Sequence, residues 1–579
     1  MKKFLAQGTS RHKGIILIKT PCLSASVRDT AFYSFPLILV VFFAFLLPYG
    51  ASFLKAFEGG KLTVWENSAI INIMLFTLKQ AFFSVLLALA LGLPGAWLLG
   101  SGRNHPFLRS LTALPFAMPS ILVVLGFVLF FGNSGWINRF LVFLQGGDSQ
   151  GTLQLRILYK PAAIILAHGF FNFPVVIRLV GDGLARIKRT YAPAAASLGA
   201  SPLTTVFSVI LPLSVPSIMS ASLLVFLYSF TSFAVVLVLG GGPVSTTLSV
   251  EIYRHARIFL NYNNAGALAL VETLIAVSVF LSYVFFGKKS RAIKTETDDH
   301  GFENQKSFRF GFKNLLIGLY CLLAALFIFG PLFSILLESL LWQPSRSAAP
   351  VFNTIWWRSV GLLSRGQTCL PALLRSLSLA FLSASCACIL AIPAAASLKS
   401  IEMHEGLNSK NSLAANLIRF FAAAPIISSG IVLGLGWLII YGRNSSFKTI
   451  IPLVILHSVI ALPFAFNSIS EGFRSLPDNT LNAASALGAA PFYRLITITL
   501  PLSLKQIKSA WGFAAALSMG ELNSIIMLGK ENWETLPLYI YRAVGAYRYG
   551  NACVAGTLLL LCCAAFLLLS EGFKKKSYS

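Results

Sequence analysis

Apolar residues run in blocks of about twenty along almost the whole chain, the length an α-helix needs to cross roughly 30 Å of hydrocarbon. Six blocks fill the first half, at about Phe35 to Leu54, Met74 to Leu99, Leu111 to Phe131, Pro161 to Val180, Val215 to Leu239 and Ala265 to Phe286. Six more follow, at about Leu315 to Leu337, Ala372 to Leu398, Leu417 to Tyr441, Ile450 to Asn467, Gln506 to Leu528 and Ala552 to Leu569. The pattern predicts an all-α integral membrane protein of twelve transmembrane helices. Between the sixth and seventh blocks the chain turns polar, through Thr295, Glu296, Thr297, Asp298, Asp299 and His300. That divides it into an N-terminal segment 1–34, a first domain 35–286, a linker 287–312, a second domain 313–570 and a basic tail 571–579.

The two domains share a register, so the chain reads as an internal duplication. Leu93-Pro94 matches Ile392-Pro393 at an offset of 299, and Pro115, Gly126 and Gly132 match Pro425, Gly436 and Gly442 at 310. At an offset of 289, His168, Pro174, Gly183, Ser229 and Gly240 match His457, Pro463, Gly472, Ser518 and Gly529. The offset changes only between blocks. An even number of spans per domain sends both into the membrane in the same direction, which predicts two parallel six-helix repeats related by an axis along the membrane normal.

Composition agrees with this reading and charge supplies the orientation. The 579 residues are 56% hydrophobic and 11% charged, with a mean hydropathy of +0.75, outside the range of soluble globular domains. The net charge of +26, from 46 basic and 20 acidic residues, could suggest nucleic acid. Its placement points instead to loops held on the cytoplasmic side of the lipid bilayer. Lys2, Lys3, Arg11, Lys13 and Lys19 precede the first block, Lys288, Lys289, Arg291 and Lys294 follow the sixth, and Lys574, Lys575 and Lys576 follow the last. Both termini and the linker are therefore expected in the cytoplasm, with no nucleic-acid partner. The cysteines lie mostly inside apolar blocks without CxxC spacing, which reads as packing and gives no metal site.

One stretch stands out as polar-lined, small and repeated. Ala194-Ala195-Ala-Ser-Leu-Gly199-Ala200 runs on to Val209-Ile-Leu-Pro212, and Ala483-Ala484-Ser-Ala-Leu-Gly488-Ala489 runs on to Ile498-Thr-Leu-Pro501, again 289 residues apart. Counted from a cytoplasmic N-terminus, each falls between the fourth and fifth spans of its half, on the cytoplasmic side. Arg186, Lys188 and Arg189 in one copy and Arg474 and Arg494 in the other agree with that side. The small residues would admit another protein's backbone, glycine can end a helix at positive φ, and the Leu-Pro can open the next helix. A short helix, a turn and a restart make a rigid knob, and two such knobs suit a symmetric dimeric partner.

The spacing of Ala-Ala, three residues, Gly, nine residues, a hydrophobic residue, one residue and Leu-Pro resembles the loop by which permease subunits of binding-protein-dependent ABC importers dock on their ATPase. Two copies in one chain resemble the fused permeases for thiamine and for ferric iron, the thiamine type most closely. That likeness is carried by Phe171-Asn-Phe-Pro174, Ser232-Phe-Ala-Val-Val-Leu-Val-Leu-Gly-Gly-Gly-Pro243, Ser518-Met-Gly-Glu521 and Thr535-Leu-Pro-Leu-Tyr-Ile-Tyr541. The resemblance implies the type I importer permease fold in a bacterial inner membrane. It also implies an extracytoplasmic substrate-binding protein and two copies of an ATP-binding subunit, with ATP and Mg²⁺ held by that subunit. The family loop commonly begins with Glu, and here Pro193 and Asn482 stand in its place.

No GxxxxGK[ST] loop occurs, so the chain is expected neither to hydrolyse ATP nor to be an enzyme. Gly240-Gly-Gly-Pro243 reads as a tight turn. Glu521 falls inside the eleventh block, where an acid is costly. It could face the translocation path with Asn523 and the matching Ser232, favouring a cationic solute, or it could bond Asn523 or Ser524 in packing. Glu272 reads as structural. His168 and His457 could form a metal or proton site, or supply interhelical hydrogen bonds, for which the absence of accompanying carboxylates argues. A secondary transporter with two six-helix repeats would need paired intramembrane charges, and a lipid-acting membrane enzyme would need a polar cluster at one depth; neither pattern is present.

Overall fold

The computed structural model describes residues 34–58, 68–100, 118–145, 154–240, 242, 245–291, 312–342, 351–353, 355–360, 368–405, 412–427, 429–442, 450–528 and 533–571. Pro115, Gly529, most of the linker, nearly all of the N-terminal segment and all but the first residue of the C-terminal tail lie outside them. The first half begins with helix α1, Phe35–Phe57, which contains a π-helical turn at Phe42–Leu46. It continues with α2 (Ser68–Leu99), α3 (Ser120–Phe131), α4 (Trp136–Leu144), α5 (Pro161–Ser197), α6 (Pro202–Phe230), α7 (Ala234–Leu239), α8 (Leu248–Tyr253) and α9 (Tyr262–Arg291). The second half contains α10 (Phe312–Leu340), α11 (Leu370–Glu405), α12 (Leu413–Ala423), α13 (Gly430–Tyr441) and α14 (Ile451–Arg474). Then come α15 (Asp478–Ala486), a helical stretch at 491–502, α16 (Leu504–Gly520), α17 (Asn523–Leu528), α18 (Leu536–Gly545) and α19 (Tyr549–Glu571). Strand pairing among the described residues is a two-residue antiparallel ladder, Leu341 opposite Phe352 and Trp342 opposite Val351.

The bounds and continuity of several predicted spans need correcting. Ten helices among the described residues are long and apolar enough to cross a membrane, and α12 with α13 makes an eleventh, bent by 100°. The predicted span from Gln506 to Leu528 is not one helix. It is the 17-residue α16 separated from α17 at Glu521, whose backbone is extended at φ −74 and ψ 120. The predicted span from Val215 to Leu239 breaks at the matching place, after Phe230, and resumes as α7. An apolar run cannot report such a break, because hydrophobicity is the same on both sides of it. The fourth span also runs well past Val180, as a single 37-residue helix to Ser197.

Each half lays its first helix across the other. In α1, Pro48 cannot donate to the carbonyl of Ala44, and the indole Nε1–H of Trp437 in α13 donates to that oxygen at 2.8 Å. Gly436, one residue earlier, lets α13 approach so closely that a Cβ there would lie 2.1 Å from the carbonyl oxygen of Pro48. The reciprocal crossing has Gly126 of α3 against Pro331 of α10, where a Cβ would lie 2.7 Å from that proline's oxygen. Around it Phe327 of α10 stacks edge-on to Phe170 of α5, with ring centroids 5.5 Å apart. Small residues at crossings are how helices associate in lipid, where the hydrophobic effect gives little.

Candidate coupling loops and central cavity

Both repeated stretches end a helix in the same way. At the end of α5 the amide of Ala200 donates to the carbonyl of Ala195 at 3.0 Å and that of Gly199 to Ala196 at 3.0 Å. At the end of α15, Ala489 donates to Ala484 at 3.1 Å and Gly488 to Ser485 at 3.0 Å. This is a Schellman turn, which requires a left-handed residue. Gly199 supplies it at φ +80 and Gly488 at φ +82. Of each alanine pair, Ala195 and Ala484 turn inward, each 8% exposed, while Ala194 and Ala483 face out. The apex presents Leu198 at 87% exposure and Leu487 at 89%.

The restart differs from the expected one. It falls at Pro202 and Pro491, each in the first turn of the following helix, and Ser201 Oγ accepts from the amide of Thr204 at 3.2 Å. Pro212 and Pro501 lie further on, where π-helical segments Thr205–Ile210 and Leu495–Thr499 give way to α-helix. The Ser201-Pro202 pair, a cap followed by an N1 proline, is the signal that marks the start.

The two loops are held unequally. The first continues α5 without a break through Pro193, and Lys188 sits over the Trp97 ring, 3.4 Å from its centroid. In the second, Pro477 stands where the first has Lys188 and α14 ends three residues before it, at Arg474, so a separate short helix results. Lys399 of α11 pairs with Asp478 of α15 at 2.6 Å, and Glu402 takes Arg419 at 3.0 Å and Arg474 at 2.5 Å.

Between the halves lies a cavity of about 290 Å³, at the lower end of the range for small-molecule sites. Phe171, Tyr228, Phe233 and Phe464 supply aromatic walls, and Ser120, Asn172, Thr231, Ser232 and Asn523 supply polar groups, with His168. Both broken helices reach it. Ser232 lies in the first break and Asn523 opens α17 just after the second, and both line the cavity. Glu521 lies at the break itself and is half-buried. Its Oε1 accepts from the amides of Asn523 at 2.9 Å and Ser524 at 3.2 Å, so of these two residues it bonds the backbone. Glu272 is buried and accepts from Ser249 Oγ at 3.0 Å, holding α8 to α9. Among the described residues no three His, Cys, Asp or Glu side chains gather where a metal could bind.

Residues 88–291 and 406–575 each match the family described as binding-protein-dependent transport system inner membrane component. The chain belongs to this family. Both loops and every residue lining the cavity fall inside the two matched segments, while α1 and α10, the crossing helices, fall outside them. Relatives within this permease family include the thiamine transport system permease protein ThiP of Haemophilus influenzae, 28% identical over 541 residues, 92% of this chain and 95% of that one. The protein of the same name from Escherichia coli is 25% identical over 519 residues, covering 88% of this chain and 90% of its own length. The spermidine/putrescine transport system permease protein PotB of E. coli is 26% identical over 273 residues, 46% of this chain and 95% of PotB. A relative of half the length, matched almost throughout, fits a permease built as two fused units, and the chain is a multi-pass inner-membrane permease of that fused kind. Sequence reading missed Phe464, Tyr228 and His168 as cavity residues, because their side chains meet only where the halves face each other.

Proposed function

We propose that this permease is the whole membrane part of an ATP-driven importer for thiamine or a closely similar small cation. A binding protein delivers the solute to the outer face, and two copies of an ATPase, which hold ATP and Mg²⁺, dock on the cytoplasmic loops around Leu198 and Leu487. Both termini lie in the cytoplasm. The observation that carries the reading is the paired Schellman turn, which holds two almost fully exposed leucines at equivalent positions of a duplicated fold. Exposed apolar side chains on rigid backbone are what a partner surface buries. Closure of the ATPase dimer would drive the knobs together and, through α5 and α14, change which side of the membrane the central cavity faces. The substrate follows from the names of the relatives together with the aromatic walls and the nearby Glu521, which suit a planar cation. Ion pairs on one loop and a cation–π contact on the other support unequal coupling.

Reconstitution into proteoliposomes with the ATPase and the binding protein is expected to give uptake of radiolabelled thiamine that stops without ATP. Uptake driven by an ion gradient with no ATPase present would sink the importer reading. Glu521→Gln separates charge from capping, because the amide keeps an acceptor for Asn523 and Ser524. The expected result is an unchanged melting temperature and a KM for thiamine raised about fivefold, the loss of roughly 1 kcal/mol of attraction at moderate distance. Glu521→Ala should in addition destabilise the fold by about 1 kcal/mol, as lost caps do. An unchanged KM in Glu521→Gln would remove Glu521 from the path.

A further inference from the structure

The two halves carry polar knots around equivalent histidines, and they differ at both ring nitrogens. In the second, both edges of the His457 ring are filled, Nδ1 by Ser518 Oγ at 2.9 Å and Nε2 by Ser524 Oγ at 3.2 Å. In the first, Nδ1 of His168 faces Gln80 Oε1 at 3.0 Å and Ser84 Oγ at 3.3 Å. Gln80 is oriented by its own Nε2, which donates to the carbonyl of Ser229 at 2.9 Å. Its Oε1 can only accept, so Nδ1 of His168 carries the proton. In the neutral ring Nε2 then presents a lone pair. That atom is buried and has no partner among the described residues, although His168, 2% exposed, lines the central cavity. On the Nε2 side the difference is one side chain. The position of Ser524 is held in the first half by Val235, which also lines the cavity.

Buried acceptors are nearly always satisfied, and an exception calls for an explanation. We propose that Nε2 of His168 is a solute-binding acceptor, which takes a hydrogen bond from an amino or ring N–H of a small planar heteroaromatic compound held between the aromatic walls of the cavity. This rests on the reading of the cavity as the translocation path. Gln80 and Ser84 fix the ring from α2, and Val235 keeps the opposite edge free of any competing hydroxyl. The duplication thus yields one histidine that packs and one that binds.

The test uses the complex reconstituted with its ATPase and binding protein, and two probes: thiamine, and thiamine whose pyrimidine amino group is replaced by hydrogen. The quantity compared is the ratio of kcat/KM for the two, in which the binding protein's own preference is common to all variants. His168→Phe removes the acceptor. Val235→Ser supplies the hydroxyl that Ser524 gives His457, and so occupies the acceptor without removing it. Each is expected to lower the preference for thiamine about five- to twentyfold, the range for one buried hydrogen bond, with little change for the analogue. Val235→Ser should keep or raise the melting temperature, which a merely structural effect on packing would not do. Folded variants that both retain the wild-type ratio would overturn the proposal while leaving the importer intact. A wild-type complex that moves neither compound with ATP would overturn both.

Discussion

Valine at both Gly199 and Gly488 is expected to abolish ATP-driven uptake and the recovery of the ATPase with the permease, while the membrane core still folds. The cause is conformational, since a Cβ at either position would meet nothing within 4 Å. With φ at +80 and +82, an L-residue costs on the order of 1–2 kcal/mol at each site, and a β-branched one is a still poorer fit. Relief requires giving up the bonds from Ala200 to Ala195 and from Ala489 to Ala484, and Leu198 and Leu487 then leave their places. Asparagine, which tolerates the left-handed region, should restore most of the activity. Aspartate at Leu198 and Leu487 provides the complementary case, since it keeps the turn and removes the apolar apex. A valine pair that still holds the ATPase and still supports uptake would show that docking does not depend on these turns.

How much of this is legible in the sequence depends on the distance over which each feature is decided. The turns are local: a glycine after small residues and a repeat register of 289 were enough to place them, and both take the positive φ expected. The break at Gly520 is marked by Glu521 on the amides of α17 and the one after Phe230 has no side-chain cap on α7, and both lie inside runs whose hydropathy hides them. The different build of the two loops turns on Pro477 against Lys188, a difference visible in the sequence but uninterpretable there, because Pro193 inside α5 does not break its helix. The open edge of His168 needs Gln80, Ser229 and Val235 together, from three helices. No spacing along one helix could show it.

The crossing of the halves gives the largest effect expected on stability. Alanine at Gly436 would place a Cβ 2.1 Å from the oxygen and 2.4 Å from the carbonyl carbon of Pro48, and alanine at Gly126 would place one 2.7 Å and 2.9 Å from the same atoms of Pro331. These neighbours are backbone and cannot rotate away, so whole helices must separate. Overpacking of this kind costs about 1–3 kcal/mol and sometimes more. Gly436→Ala should be the worse of the two, because parting α13 from α1 also withdraws the Trp437 indole from the Ala44 carbonyl that Pro48 leaves bare. An orphaned buried carbonyl adds about 1–3 kcal/mol. Gly318→Ala in α10, where nothing lies within 4 Å, should instead leave stability unchanged or raise it by up to about 1 kcal/mol. Melting temperatures in detergent would rank the three, and equal values for Gly436→Ala and Gly318→Ala would show that the crossing does not hold the halves. Since the cavity is lined from both halves, by residues such as Asn172 and Tyr228 of the first and Phe464 and Asn523 of the second, the Gly436 variant should lose uptake at temperatures where its separate helices are still formed.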